Sequence, residues 1–389
     1  MKSIVLKRGE DRRPRAGHPW IFSNEIKSSL REHSPGDIVL VTGAGGQVVG
    51  VGYVNPQSLI AVRLLATGTD SLDAGFLEER ISTALRLREA VYPGSCVFRV
   101  VHGESDALPG LVVDRYGAAV AVQILTAGME RMKEDVLRAL LGTLRPEVVV
   151  ARNDTLFRDL EGLPRGVDLL HGTWSRPVPV SIQGMELTAD LMEGQKTGLF
   201  LDQRDNLLAP SPWAAGARVL DCFSYTGAWG IRALLDGAAQ VTAVDSSSRA
   251  LEEALRNARR NGVENRWQAI EGDAFAVLDS LAGGPPFDVA VLDPPSFVRR
   301  KDRLASAKKR YRAINQKAMA LLRPAGILVS CSCSHHLDRP AFKQLINEAA
   351  TAAGRRAVLM EERGASRDHP VLLAARETDY LKCFVLRIL

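Results

Sequence analysis

Four carboxylates recur in the second half of this sequence, each at or just past the end of a short apolar run. Asp221 closes Val219-Leu-Asp221 and Asp245 closes Val241-Thr-Ala-Val-Asp245. Asp273 follows Ile270-Glu-Gly-Asp273, and Asp293 closes Val289-Ala-Val-Leu-Asp293. In an open parallel sheet, ligands bind outside the carboxyl ends of the strands, so these acids are expected to line one crevice. Acids there suit a neutral or cationic nucleoside better than a bare pyrophosphate. The first turn, Cys222-Phe-Ser-Tyr-Thr-Gly-Ala-Trp-Gly230, holds Gly227 and Gly230 but lacks the G-x-G-x-x-G of dinucleotide binders. Asp245 is placed to accept from ribose hydroxyls, as the acid about 20 residues past the glycine turn does in Rossmann enzymes. Asp273 can accept from the exocyclic amine of an adenine, and Asp221 can lie beside a cationic amino-acid tail. S-adenosyl-L-methionine offers all these groups. Its expected contacts add Ser224, Tyr225 and Gly227 in the first turn, then Ser246, Ala274 and Pro294 beside the later acids. A single Asp at such a place reads equally well as a helix N-cap. Four at successive strand ends argue against that for the set.

The next strand ends carry reactive groups. Asp293-Pro-Pro-Ser-Phe297 places a carboxylate before two prolines that lock the backbone. Ser330-Cys-Ser-Cys-Ser-His-His336 follows the fifth apolar run. A cysteine thiolate can attack an electron-poor ring carbon if its pKa is drawn below about 8.5, by a helix N-terminus or by basic neighbours. Addition at C6 of a pyrimidine makes C5 able to take a methyl group from a sulfonium. Asp293 is the candidate for donating a proton to N3. Cys331, inside the apolar run, reads as a small buried hydrophobe, whereas Cys333 lies past the strand. A zinc site from Cys331, Cys333, His335 and His336 is disfavoured, because ligands this close in sequence do not easily close a tetrahedron. No metal is expected.

Positioning these residues requires alternating strands and helices. The expected elements are strand 218–221, a helix to 235, strand 241–245, helix 248–261 and strand 267–271. Helix 274–281, strand 289–292, helix 306–322 and strand 327–331 follow. A helix then begins with Asp338 as N-cap and Pro340 in its first turn, and the chain closes on a strand over 380–389. Such βα units imply an α/β, doubly wound, mostly parallel Rossmann-like sheet. Ahead of it, turns such as Ser34-Pro-Gly-Asp37 bound short strands at 38–41, 48–53 and 60–65, as in a small β-barrel. Helix 76–91 comes next. Strands at 97–101, 111–114 and 119–125 with a helix over 131–141 then make a central α+β region. Boundaries are expected at 1–70, 71–190 and 191–389.

The 389 residues and ordinary apolar fraction are those of a globular protein of two or three domains. Five cysteines without framework spacing fit a reducing compartment, and no apolar run is long enough to span a bilayer, so a cytoplasmic protein without membrane contact is expected. Net charge is only +5, but basic residues cluster as Arg12, Arg13 and Arg15, then around Arg300, and at Lys309 and Arg310. Clusters beside the crevice suit a polyanion, though each could equally be a solvated face.

Near its full length, the chain resembles the RlmI-like class I methyltransferases, 23S rRNA (cytosine-C5) enzymes that use S-adenosylmethionine. His18-Pro-Trp-Ile-Phe-Ser23 resembles their N-terminal PUA barrel, which implies RNA contacts for His18 and Trp20. Gly103-Glu-Ser-Asp-Ala-Leu-Pro-Gly110 and Val113-Asp-Arg-Tyr-Gly117 resemble their central domain. Lys196-Thr-Gly-Leu-Phe-Leu-Asp-Gln-Arg-Asp205 is the most family-specific string and implies that Phe200 and Gln203 help cover the cofactor. Asp368-His-Pro370 and Tyr380-Leu-Lys382 also fit. The resemblance implies Cys333 as nucleophile, 23S rRNA or an assembly intermediate as substrate, and a homodimer. Ser296 stands where many RNA cytosine-C5 methyltransferases carry a second cysteine, so the base that takes the C5 proton is unassigned. Two alternatives stay open: methylation at a guanine or exocyclic nitrogen without a cysteine, and a non-catalytic ribosome-assembly factor.

Overall fold

The computed structural model describes residues 1–297 and 304–389. The chain divides into two compact units. The first comprises Met1–Val180, Ala189–Leu201 and Arg367–Thr378; the second comprises Ser181–Thr188, Asp202–Ser366 and Asp379–Leu389.

The second unit is built on a seven-stranded sheet. Its strands are β1 (Arg218–Cys222), β2 (Gln240–Asp245), β3 (Trp267–Glu271), β4 (Phe287–Leu292), β5 (Leu322–Ser332), β6 (Ala357–Arg363) and β7 (Lys382–Ile388). Their spatial order is β3-β2-β1-β4-β5-β7-β6. The first five run parallel, and β7 lies antiparallel between β5 and β6. Strands β1, β4 and β5 are nearly continuous apolar runs because helices cover both faces of a parallel sheet. The helices are α1 (Ala228–Leu235), α2 (Ser248–Arg260), α3 (Ala274–Ser280), α4 (Leu304–Leu321) and α5 (Arg339–Ala352). Sequence order reverses at β1/β4, which makes the ends of these two strands the switch point where a crevice opens. The core beneath it joins Leu220, Val244, Ala290, Tyr311, Leu328, Phe342 and Phe384.

Expected and observed elements agree within a few residues here, and Asp338 does cap α5, accepting from the Ala341 N–H at 2.8 Å. Strand β6 was not expected. Its residues Val358, Leu359 and Met360 are all exposed, so it lacks the alternation that marks a half-buried strand.

The first unit holds two five-stranded sheets. One has the order Lys2–Val5, Asp37–Thr42, Val48–Val54, Val62–Thr67, Trp20–Ile21. The other has the order Val167–His171, Val148–Arg152, Ala119–Ile124, Leu111–Tyr116, Val97–His102, with helices Phe76–Val91 and Lys133–Leu144. The two are tied by Tyr53, whose hydroxyl donates to the Pro109 carbonyl at 2.6 Å, and by the Arg63–Glu161 ion pair at 2.7 Å. The helix expected at 131–141 starts instead at Lys133 and is preceded by a separate turn of helix, Ala127–Arg131, capped by Thr126. The strand pair Val148–Arg152 and Val167–His171 was not anticipated.

Candidate active site

The first turn takes its shape from backbone constraints. Phe223 and Tyr225 have φ of 63° and 48°, a region that non-glycine residues seldom occupy, and Gly227 follows at 84°. The turn is held at both ends. Asp245 accepts from the Tyr225 N–H at 2.9 Å and from the Ser247 N–H at 3.0 Å. Asp221 accepts from the Gly230 N–H at 3.0 Å. A Cβ on Gly227 would meet Trp267 at 2.8 Å, and one on Gly230 would meet Trp267 and Val241 at 2.7 Å each. Both glycines are therefore needed for close approach of helix and sheet.

Asp221 is fully buried, and only one of its oxygens is engaged; Oδ1 has no hydrogen-bond partner among the described residues, and neither does Ser224 Oγ. Burial pushes the Asp221 carboxyl up to about 7, opposed by the Gly230 N–H and reinforced by the charges of Asp293 and Asp245. A buried carboxylate with an idle oxygen beside two other acids calls for a cation. The sulfonium and ammonium of S-adenosylmethionine meet that requirement, so the residues fit the cofactor. Asp273 spends Oδ1 capping α3, accepting from the Phe275 and Ala276 N–H groups at 3.0 and 3.3 Å, with Ala274 buried beside it. Ser246 is exposed next to Asp245.

At the end of β4, Gln203 and Trp229 hold Asp293. Gln203 Nε2 donates to Oδ1 at 2.9 Å and Trp229 Nε1 to Oδ2 at 3.1 Å. Trp229 was not anticipated as a site residue; Trp as an indole donor on the first turn of α1 was the available signal. Gln203 thus reaches the crevice floor, while Phe200 lies in the first unit with the Lys196 ammonium 4.2 Å from its ring centre.

At the end of β5 the two cysteines separate as expected from their positions. Cys331 is fully buried opposite Cys383 of β7, and burial raises its thiol well above the ordinary value. Cys333 is partly exposed, with Sγ 4.0 Å from the Pro294 carbonyl. Helix α5 starts at Arg339, a few residues past Cys333, and its first turn is capped by Asp338. Among the described residues, the adjoining Ser334 is held by two hydroxyls and by Lys382. Ser334 Oγ lies 2.9 Å from both Ser296 Oγ and Tyr311 Oη, and the Lys382 ammonium donates to the Ser334 carbonyl at 2.6 Å. Tyr311 carried no sequence signal; Lys382 lies in the Tyr380-Leu-Lys382 string, which fits the family but gave it no role at β5. His335 lies against the Tyr380 ring, centroids 5.3 Å apart. Among the described residues, no cluster of His, Cys, Asp and Glu could hold a metal ion.

The basic residues are less uniform. Arg13 is engaged with Glu25 at 2.8 Å and Arg15 with Asp11 at 2.8 Å. His18 is buried, and Trp20 Nε1 donates to Glu104 at 2.9 Å. Arg12 and Lys309 are exposed, and Arg310 stacks 4.3 Å above the Phe297 ring. Arg300 lies outside the described residues.

A PUA-like domain family matches residues 4–67, and the S-adenosylmethionine-dependent methyltransferase family matches residues 166–368. The chain is 36% identical over 392 residues to the ribosomal RNA large subunit methyltransferase I of Yersinia pseudotuberculosis, covering 99% of each. Among solved structures it is similar to a SAM-dependent methyltransferase from Streptococcus mutans (TM-score 0.85, 19% identity, all of both chains). It is also similar to a methyltransferase complexed with SAH (TM-score 0.86, 20% identity, all of both chains). At these identities the structures speak for the fold.

Proposed function

The chain belongs to the S-adenosylmethionine-dependent methyltransferases, in the ribosomal RNA large subunit methyltransferase I family, and we propose that it methylates C5 of a cytosine in 23S rRNA through a bond to Cys333. The observation that carries this is the separation of the two cysteines. Cys331 is sealed in the sheet, whereas Cys333 sits at the accessible end of β5 next to the Asp293 strand end.

When bound, S-adenosylmethionine supplies an electrophilic methyl group on its sulfonium. Asp221, Ser224, Tyr225, Gly227, Asp245, Ser246, Asp273, Ala274, Asp293 and Pro294 are proposed to hold it, with Phe200 and Gln203 helping to cover it. The target base must leave its stack to enter the crevice. The Cys333 thiolate adds to C6 of the ring while Asp293, oriented by Gln203 and Trp229, gives a proton to N3, which leaves C5 nucleophilic. Once C5 is methylated, water held by Asp293, or His335, takes the C5 proton, the N3 proton returns to Asp293, and the C6–S bond breaks to release the thiolate. Arg12, Arg13, Arg15, His18, Trp20, Arg300, Lys309 and Arg310 are proposed to face RNA phosphates or bases.

We also propose the domain division 1–70, 71–190 and 191–389, a homodimer, and cytoplasmic action on naked rRNA or an assembly particle. No helix among the described residues is long and apolar enough to cross a membrane. The decisive experiment is mass spectrometry of rRNA from cells with and without the protein, complemented by Cys333→Ala. Loss of one 5-methylcytosine that wild type restores and Cys333→Ala does not is the expected result. Restoration by Cys333→Ala, or loss of a methylguanine instead, overturns it.

A further inference from the structure

Strand β7 brings Lys382, the last residue of the Tyr380-Leu-Lys382 string, to the reactive end of β5, where no role was expected for it. Lys382 pairs in register with Ser332, the last residue of β5, and its side chain is only 2% exposed. Its ammonium runs past the strand end to donate to the carbonyls of Ser334 at 2.6 Å and Tyr380 at 2.7 Å. Both acceptors are neutral. Among the described residues no carboxylate makes an ion pair with it, since Asp379 is taken by Arg339 at 2.9 Å and Asp338 caps α5. A buried ammonium with only neutral acceptors is expensive unless an anion lies close by. Cys333, between Ser332 and Ser334, is the group placed to supply that charge.

We propose that Lys382 is a positioning residue for Cys333, its ammonium serving as the buried counter-ion that keeps the thiol ionised and its loop fixed. This rests on Cys333 being the nucleophile. Ionisation sends the thiol proton to solvent and leaves the charge pair behind. The titratable and charged groups facing the pair are Arg339, Asp379 and Asp338 around the lysine and Tyr311 beside the thiol. Burial draws the Lys382 ammonium down to about 8, and the Cys333 charge works against that shift. Burial pushes Tyr311 up to about 12, so it stays protonated and can donate to Ser334, pinning the loop from the opposite side. Strand β7 thereby positions the Cys333 loop, although the Asp293 and Cys333 motifs lie upstream of it.

The test is the rate at which iodoacetamide alkylates Cys333 in the full chain between pH 6 and 10, read by mass spectrometry of the Cys333 peptide. Thiolate displaces iodide, so the rate follows the ionised fraction. Wild type is expected to titrate below the free-thiol value of about 8.5. Lys382→Met is expected to slow alkylation at pH 7 at least about tenfold and to move the profile upward by one pH unit or more. Lys382→Arg, which keeps the charge, is expected to stay within about threefold of wild type. An unchanged profile in Lys382→Met overturns the proposal. If that variant fails to fold, wild type alone decides, because a Cys333 titration at or above about 8.5 overturns it as well. Failure of the nucleophile reading is distinguishable: Cys333→Ala would then methylate normally while the alkylation profiles still reported the charge pair.

Discussion

At the scale of single residues, Asp221 is the site acid whose protonation is set by what surrounds it. Asp221 titrates near 7 because burial outweighs its one backbone hydrogen bond. If a cationic cofactor needs the ionised form, its affinity rises with pH, by roughly tenfold between pH 6 and 8 in titration calorimetry; Asp221→Asn should bind weakly with a flatter profile. The same shift has a cost in stability. The folded value lies above the unfolded one of about 3.9, so the unfolded chain loses this proton first. The destabilisation grows from about pH 4 to about pH 7 and is complete above that. Asp221→Asn should therefore melt higher than wild type at pH 8 and not at pH 4. Trp229 is the second test at this scale. Trp229→Phe removes one donor on Asp293, a hydrogen bond to a charged group worth about 1.5–3 kcal/mol. Methyl transfer should slow about ten- to hundredfold, with cofactor affinity within threefold of wild type.

At the scale of elements, the turn between β1 and α1 is where packing is tightest. Gly230→Ala places a methyl group 2.7 Å from Trp267 and Val241 and 3.1 Å from Asp221. Overpacking of that kind costs about 1–3 kcal/mol and should lower the denaturant midpoint and cofactor affinity together. Asp338→Ala, which removes the α5 cap, should cost about 1 kcal/mol and leave cofactor affinity unchanged. The contrast separates a turn that shapes the site from a cap that only holds a helix. Periodicity predicted α1, α2 and α3 almost to the residue, since each pairs a clear apolar stripe with a turn signal. It missed β6, whose exposed apolar residues follow neither period, and the strand Trp20–Ile21, too short to show one.

At the scale of the whole molecule, one segment near the end of the chain belongs to the first unit. Arg367–Thr378 returns there, where Asp368 accepts from the Arg99 N–H at 2.8 Å and its carbonyl accepts from Arg88 at 2.9 Å. Arg88 is fully buried and paired with Asp106 at 2.6 Å. Breaking one side of such a pair costs about 3–5 kcal/mol, so Arg88→Met should destabilise the first unit, seen as early hydrogen exchange in 97–116. Arg88→Met with Asp106→Leu should recover part of the loss. For RNA, phosphate contacts predict a linear fall of log affinity with log salt. Replacing Arg12 and Lys309 together should flatten that slope, whereas Arg15→Ala should change it less, because Arg15 is already paired with Asp11.

In the second unit, the succession of strands and helices apart from β6, the placing of acids at strand ends and the burial of Cys331 with Cys333 left partly exposed were legible in the residues, because each depends on neighbours close in sequence. A strand end, a glycine turn and an apolar run are local features. What only the folded chain decided is which distant groups surround those residues: Gln203 and Trp229 on Asp293, Tyr311 and Lys382 beside Cys333, Cys383 opposite Cys331. These contacts arise from strand order and register, with β7 inserted antiparallel between β5 and β6. Sheet order comes from the packing of all the layers at once, and no stretch of residues read alone carries it.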